Sequence, residues 1–273
     1  MIALTGAWGL VGRFLLAALP GPVTVLGRTP LPGHAHRPWD LTGPAPDLTG
    51  AQTLVHAAFS HVPGRYRGGK GDDPEGFLRV NLDGTRRLLD AAATAGVARV
   101  LFLSSRAVFD GLPDDTPLTE DTAPAPASLY GHAKARAEAH LATLPLIGQS
   151  LRATGVYGPG SGHKWQGVFA DYLAGRPVAP RRGTELHGAD LAAAATLLIG
   201  TAETGAFHAS DLLLDRHDLL AQVRHLTGCP YAPPARSERP VNPLICRRLP
   251  ALGWHPGGLA RLRADLPAML RNS

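Results

Sequence analysis

Lysine is scarce in this 273-residue chain: three are present, Lys70, Lys134 and Lys164, against 24 arginines. The basic residues never run longer than two in succession, so the formal charge of +5 describes a dispersed arginine surface rather than a phosphate-tracking stripe. Nucleic acid is therefore not an expected partner, whereas a small anionic ligand is. Cysteine is almost absent, and Cys229 and Cys246 lack the spacing of a disulfide framework or a thiolate metal site. The twelve histidines form no HExxH or similar ligand pattern, so metal chemistry has no support in the sequence. No uncharged run reaches the ~18 residues of a membrane span, and Met1 leads straight into Ile2-Ala3-Leu4 without a basic leader. The expectation is a cytoplasmic protein with no membrane partner.

What is present is enough for a core. Hydrophobic residues make up 44% and charged residues 18% of a length that suits one large domain, or one with an appendage. Short apolar runs at 1–5, 23–26, 53–58, 99–104 and 147–152 read as strands. Helical spacing falls between them at 10–19, 74–95 and 128–144, with a minor strand at 36–40. This alternation predicts an α/β fold with a Rossmann-type doubly wound parallel sheet. After residue 153 the pattern loosens, with Pro-rich connections at 177–180 and 230–243 and helices at 190–201, 215–227 and 259–271. Residues 1–155 are thus expected to bind a dinucleotide. Residues 156–273 form a small, irregular C-terminal substrate-binding part, of which about 187–210 returns to the core. The Gly-rich stretch 60–73 has the length of a functional loop and is a lid candidate.

The segment Thr5-Gly6-Ala7-Trp8-Gly9-Leu10-Val11-Gly12 joins the first strand to the first helix. Glycines there let the backbone turn and approach a pyrophosphate, which the helix N-terminus attracts. At the end of the second strand an acid would favour a free ribose 2′-OH and an arginine a 2′-phosphate. Val25-Leu26-Gly27-Arg28 offers Arg28, which favours NADP(H) and leaves NAD(H) open.

Tyr130 and Lys134 stand at i and i+4 at the start of a helix, so an ammonium can sit beside the phenol and favour its ionised form. Chance would supply about 0.05 YxxxK matches in this composition, yet two occur. The second, Tyr66 to Lys70, has a Gly-Gly interior that argues against a helix, so context selects Tyr130 and Lys134.

With these segments together the chain resembles an extended short-chain dehydrogenase/reductase of the NAD-dependent epimerase/dehydratase family. The carriers are TGxxGxxG at Thr5–Gly12, the strand ending Ser104-Ser105, and YxxxK at Tyr130–Lys134. Further matches are His56-Ala57-Ala58, Asn81 to Thr85, Arg152 to Gly160 and His187 to Leu191. The resemblance implies that Ser105 polarises a substrate oxygen, Tyr130 is the acid/base, and Lys134 holds the nicotinamide ribose and tunes the phenol. It also implies cofactor contacts from Gly6, Trp8, Gly9, Leu10, Gly12, Asp40, Leu41, His56, Ala57, Ala58, Asn81, Gly155 and Val156. Asp40 as a turn cap, Asn81 as a structural amide and Ser104 in place of Ser105 are the alternatives. A homodimer through helices 74–95 and 128–144 is a further family expectation.

Sugar dehydratases of the family follow the catalytic hydroxyl with an acidic pair, whereas Arg106 and Ala107 follow it here. Val108-Phe109-Asp110-Gly111 instead resembles the dTDP-4-dehydrorhamnose reductases. The expected activity is hydride transfer to or from a carbonyl or alcohol carbon of a sugar-like, nucleotide-linked small molecule. A 4-epimerase holding NAD tightly is the alternative, and a non-catalytic dinucleotide sensor the second. Arg106, Arg181 and Arg182 are the substrate-side candidates, with His61, Arg65, Arg67, His163, Lys164, Trp165 and His187 behind them.

Overall fold

The computed structural model describes residues 1–61, 73–114 and 116–271. The lid candidate and the second YxxxK, with Arg65 and Arg67, therefore lie largely outside the described residues. Seven strands form the main sheet: β1 (Ile2–Thr5), β2 (Val23–Gly27), β3 (Ala35–Pro38), β4 (Thr53–His56), β5 (Arg99–Ser105), β6 (Ile147–Ala153) and β9 (Gly205–Ala209). Their order is β3-β2-β1-β4-β5-β6-β9, and every pairing is parallel. The order reverses between β1 and β4, which is where a doubly wound sheet opens a crevice beyond its carboxyl ends.

Both faces of the sheet are covered, so its strands read as apolar runs rather than as alternation. On one face α1 (Leu10–Ala18) and α6 (Gly188–Ile199) bury Leu15, Leu191, Ala195 and Leu198 against Ile2, Leu4, Leu101 and Phe207. On the other, α3 (Gly84–Thr94) and α4 (Leu129–Leu141) bury Leu88, Leu89, Ala133 and Ala137 against Ala3, Leu54, Val100 and Phe102. The expected helix at 74–95 is broken: α2 (Pro74–Leu78) passes through a π-helical turn at Arg79–Asp83 before α3 begins.

The part after residue 155 holds more regular structure than its prolines and glycines advertise. A three-stranded sheet in the order β10-β8-β7 forms from β7 (Gly155–Tyr157), β8 (Arg182–His187) and β10 (Leu212–Asp215). Helices α5 (Gln166–Leu173), α7 (Arg216–Thr227) and α9 (Gly258–Leu270) pack beside it around Tyr157, Phe169, Leu220, Val223 and Leu266. The short α8 (Arg248–Ala251) leads from the strap at 237–247 back under β9, where Arg248 donates to the Ala206 carbonyl at 2.9 Å. Among the described residues no helix is long and apolar enough to cross a membrane, and no group of three His, Cys, Asp or Glu side chains could hold a metal ion.

Candidate active site

A cleft of about 1910 Å³ runs over the carboxyl ends of β1, β2, β4, β5 and β6 and on to the C-terminal part. Its floor at the sheet's switch point is built around Thr5. The Ala57 and Ala58 amides both donate to Thr5 Oγ1 at 3.1 Å, so the hydroxyl's own proton goes to His56 Nδ1 at 2.7 Å. His56 is then left with its proton on Nε2, 3.0 Å from Thr85 Oγ1. Burial pushes this imidazole down to about 3, with the Lys134 charge adding to the effect, so it is a neutral bridge. His56 does not line the cleft; it braces Ala57 and Ala58, which do.

Gly6 takes φ +72°, and a Cβ there would lie 2.7 Å from backbone atoms of Ala57 and Ala58. A Cβ on Gly12 would run into the Gly6 carbonyl oxygen. The strand therefore passes close under the first turn of α1, whose cap residue Gly9 offers no side chain and whose first turn carries no acid. Gly6, Trp8, Gly9, Leu10 and Gly12 line the cleft there, and the exposed amides and positive dipole end suit a dinucleotide pyrophosphate.

Arg28 stands exposed at the end of β2, facing Asp40 at the end of β3. The Thr42 hydroxyl and amide and the Gly43 amide all donate to Asp40 Oδ1, at 2.5–2.9 Å, and hold this carboxyl below its usual range, with Arg28 adding a smaller effect. Asp40 caps its own turn and still borders the cleft beside Leu41. Trp8 is 61% exposed, and its Nε1 donates to the Thr29 carbonyl at 3.1 Å, tying the glycine turn to the end of β2. Asn81 is absent from the cleft wall: its amide accepts from Ser60 N at 2.7 Å and donates to the Ser60 and Phe77 carbonyls, clamping the chain just beyond Phe59.

At the middle of the cleft, alternation along β5 separates the two serines. Ser104 points with Val100 and Phe102 toward α4, where its hydroxyl donates to Glu138, while Ser105 sits at the strand end on the cleft, its hydroxyl capping the following 3₁₀ turn through Ala107 N. Tyr130 lies in the first turn of α4, whose start is fixed by Ser128 accepting from Gly131 N, and its ring meets Phe59 edge-on at 4.9 Å. Lys134, 3% exposed, donates to the Leu103 carbonyl at 2.7 Å and lies 5.8 Å from the Tyr130 ring centre. Burial pushes its ammonium down to about 7, and Glu138 pulls the other way. Gly155 and Val156 form the opposite wall.

The far end is basic. Arg181, Arg182, Arg216 and Arg239 line it. The half-buried Arg216 is pushed below its normal range by burial and then by Arg181. Arg106 also lines the cleft, and its Nε and Nη2 donate to the Asn242 carbonyl at 3.0 and 2.5 Å, pinning the strap that carries Arg239. Of the remaining candidates, His61, His163 and Lys164 border the cleft. Trp165 is buried and stacked on Tyr157 at 4.7 Å, and His187 caps α6. Sequence reasoning missed Arg216 and Arg239, which belong to no motif, and Phe59, whose only signal was its place after His56-Ala57-Ala58.

The model of the NAD dependent epimerase/dehydratase family matches residues 2–208. A 3-diazoavenalumate denitrifying reductase from Streptomyces sp is 32% identical over 199 residues, 67% of this chain, and the match spans 62% of that protein's own length. A ceramide reductase from Caulobacter vibrioides is 30% identical over 249 residues, 84% of this chain and 71% of the relative. Among solved structures, MoeE5 in complex with UDP-glucose and NAD superimposes with a TM-score of 0.77 at 26% identity, covering 99% of this chain and 97% of that one.

Proposed function

The chain belongs to the NAD dependent epimerase/dehydratase family, and from that premise we propose that it is an NAD(P)-dependent oxidoreductase acting on a carbonyl or alcohol carbon of a nucleotide-linked, sugar-like substrate. The observation that carries the reading is the convergence on one cleft of Ser105, Tyr130 and the buried Lys134, between a glycine cradle at one end and four arginines at the other. Residues 1–155 hold the dinucleotide, with its pyrophosphate on the amides of Gly9 to Gly12 and its adenosine end beside Arg28 and Asp40. Residues 156–273 mainly hold the substrate, and the arginine cluster grips its phosphates bidentately.

The cofactor supplies or accepts the hydride when bound. Ser105 orients the substrate oxygen and Tyr130 exchanges a proton with it. Lys134, charged in a site where burial opposes charge, favours the phenolate and makes the phenol a usable acid/base near neutral pH. Arg28 supports NADP(H). The solved neighbours complexed with NAD and UDP-sugars support the second reading, a 4-epimerase that oxidises and re-reduces one carbon. We also place the protein in the cytoplasm, as a homodimer through α3 and α4. Mass analysis of dinucleotide released from purified protein, followed by titration with NADPH and NADH, tests the reading. Stoichiometric bound NAD selects the epimerase, tighter NADPH binding selects the reductase, and failure to bind any nicotinamide dinucleotide refutes both.

A further inference from the structure

Tyr130, Lys134 and Glu138 occupy positions i, i+4 and i+8 of α4 and form one stripe along its inner face. Lys134 and Glu138 are both buried, at 3% and 8% exposure. The Glu138 carboxylate is held from the sheet. Ser104 donates its hydroxyl to Oε1, Arg152 Nε reaches both oxygens at 3.1 Å, and Arg152 Nη2 reaches Oε2 at 2.7 Å. Ser104 on β5 and Arg152 on β6 are register partners in a parallel pair, so both side chains face α4. Two residues from two neighbouring strands thus converge on one carboxylate, a helical turn below the active-site lysine.

We propose that Glu138 is a positioning residue: fixed by Ser104 and Arg152, its carboxylate keeps the positive charge on Lys134 at the floor of the cleft.

Among the described residues, the ammonium is also flanked by the Leu103 carbonyl and the rings of Phe102 and Phe59, whose centres lie 4.6 and 4.8 Å from Nζ. These provide a dipole and two π faces but no counter-charge. Among the described residues, the titratable groups facing Lys134 are Tyr130 and Glu138 on its own helix and His56 from β4, with Arg152 of β6 behind Glu138. His56 is neutral and has a hydrogen-bond partner on each ring nitrogen. Glu138 therefore supplies the opposing charge. Arg152 approaches it from the far side, its guanidinium 4.9 Å from the Phe109 ring centre, so the carboxylate is anchored by one cation while it stabilises another.

This inference rests on the reading of Tyr130 and Lys134 as the proton-transfer pair, but its test needs no turnover. With three lysines in the chain, selective ¹³Cε labelling gives three resonances, and loss of one in Lys134→Arg assigns the signal of interest. The full chain is titrated by NMR as wild type, Glu138→Gln, Arg152→Gln and the Glu138→Gln/Arg152→Gln double variant. The double variant removes the buried carboxylate together with the guanidinium that anchors it, so neither is left facing an uncompensated partner, and it guards against a single variant that fails to fold. The expected result is a Lys134 midpoint lowered by about one pH unit in Glu138→Gln and in the double variant, and not lowered in Arg152→Gln. A Lys134 midpoint unchanged in a folded variant without Glu138, or lowered equally by all three changes, overturns the proposal. Turnover unaffected by Tyr130→Phe would instead refute the proton-transfer reading and leave the titration result standing.

Discussion

Replacing Gly6 by alanine tests the cradle at its tightest point. The residue sits at φ +72°, and its Cβ would press at 2.7 Å on the Ala57 carbonyl carbon and the Ala58 nitrogen, in a stretch held in place by the Ala57 and Ala58 amides donating to Thr5 Oγ1. The left-handed backbone costs an L-residue roughly 1 kcal/mol, and overpacking against rigid backbone adds about 1–3 kcal/mol. Gly21 provides the control, because it has φ +77° and nothing within 4 Å of its Cβ position, so Gly21→Ala carries the backbone cost alone. Thermal unfolding should then show Gly6→Ala below Gly21→Ala by roughly 2–5 °C, the range expected of that extra overpacking in a chain of this size. Calorimetric titration should show dinucleotide affinity lost in Gly6→Ala and retained in Gly21→Ala. Equal midpoints, or full affinity in Gly6→Ala, would show that β1 and β4 are not locked together beneath the glycine turn.

Three further outcomes follow from particular contacts. Arg28→Ala should weaken NADPH binding by roughly 10-fold or more, the scale of one lost charge-assisted contact, while NADH changes little; equal effects on both would remove Arg28 from the 2′-phosphate site. Arg106→Ala releases the Asn242 carbonyl and with it the strap carrying Arg239, so KM for substrate should rise while dinucleotide affinity holds, and unchanged steady-state constants would count against the pinning. His56 has a folded pKa of about 3, below its unfolded value near 6.5, so the unfolded chain takes the proton first. Its contribution, on the order of 5 kcal/mol, is present above pH 6.5 and is lost as pH falls toward 3. Urea unfolding between pH 7 and 4 should therefore steepen by one proton relative to His56→Gln, and parallel curves would contradict a neutral buried imidazole.

The Rossmann order was legible because both faces of the sheet are covered, which turns strands into apolar runs, and because Gly6 and Gly12 must be glycine where backbone meets backbone. Ser104 stayed an alternative to Ser105 in the sequence, and only the structure turns the Ser104 hydroxyl to Glu138 and leaves Ser105 at the strand end. The π-helical turn left no mark, since Arg79 to Asp83 contains no Gly or Pro to signal a break. The three-stranded sheet was hidden because β7 spans three residues and β8 opens with exposed Arg182. The far-end arginines were invisible as a group: Arg181, Arg216 and Arg239 come from three segments that only the chain's return paths bring together. Asn81 and His56 carry family motifs, yet their side chains face inward, where position in the chain says nothing of direction.

The most direct measurement is deuterium transfer. The protein is incubated with 4-deuterated NADPH or NADH and keto forms of nucleotide-linked sugars, with oxidised dinucleotide and unlabelled sugars in parallel for the epimerase reading, and products are followed by mass spectrometry for wild type and Tyr130→Phe. The account predicts one deuterium on the reduced carbon, or stereochemical inversion without uptake from the medium, and in either case a rate at least about 100-fold lower in Tyr130→Phe with dinucleotide binding preserved. Product formed at the same rate in Tyr130→Phe, or saturating dinucleotide with no transfer to any such substrate, would contradict it.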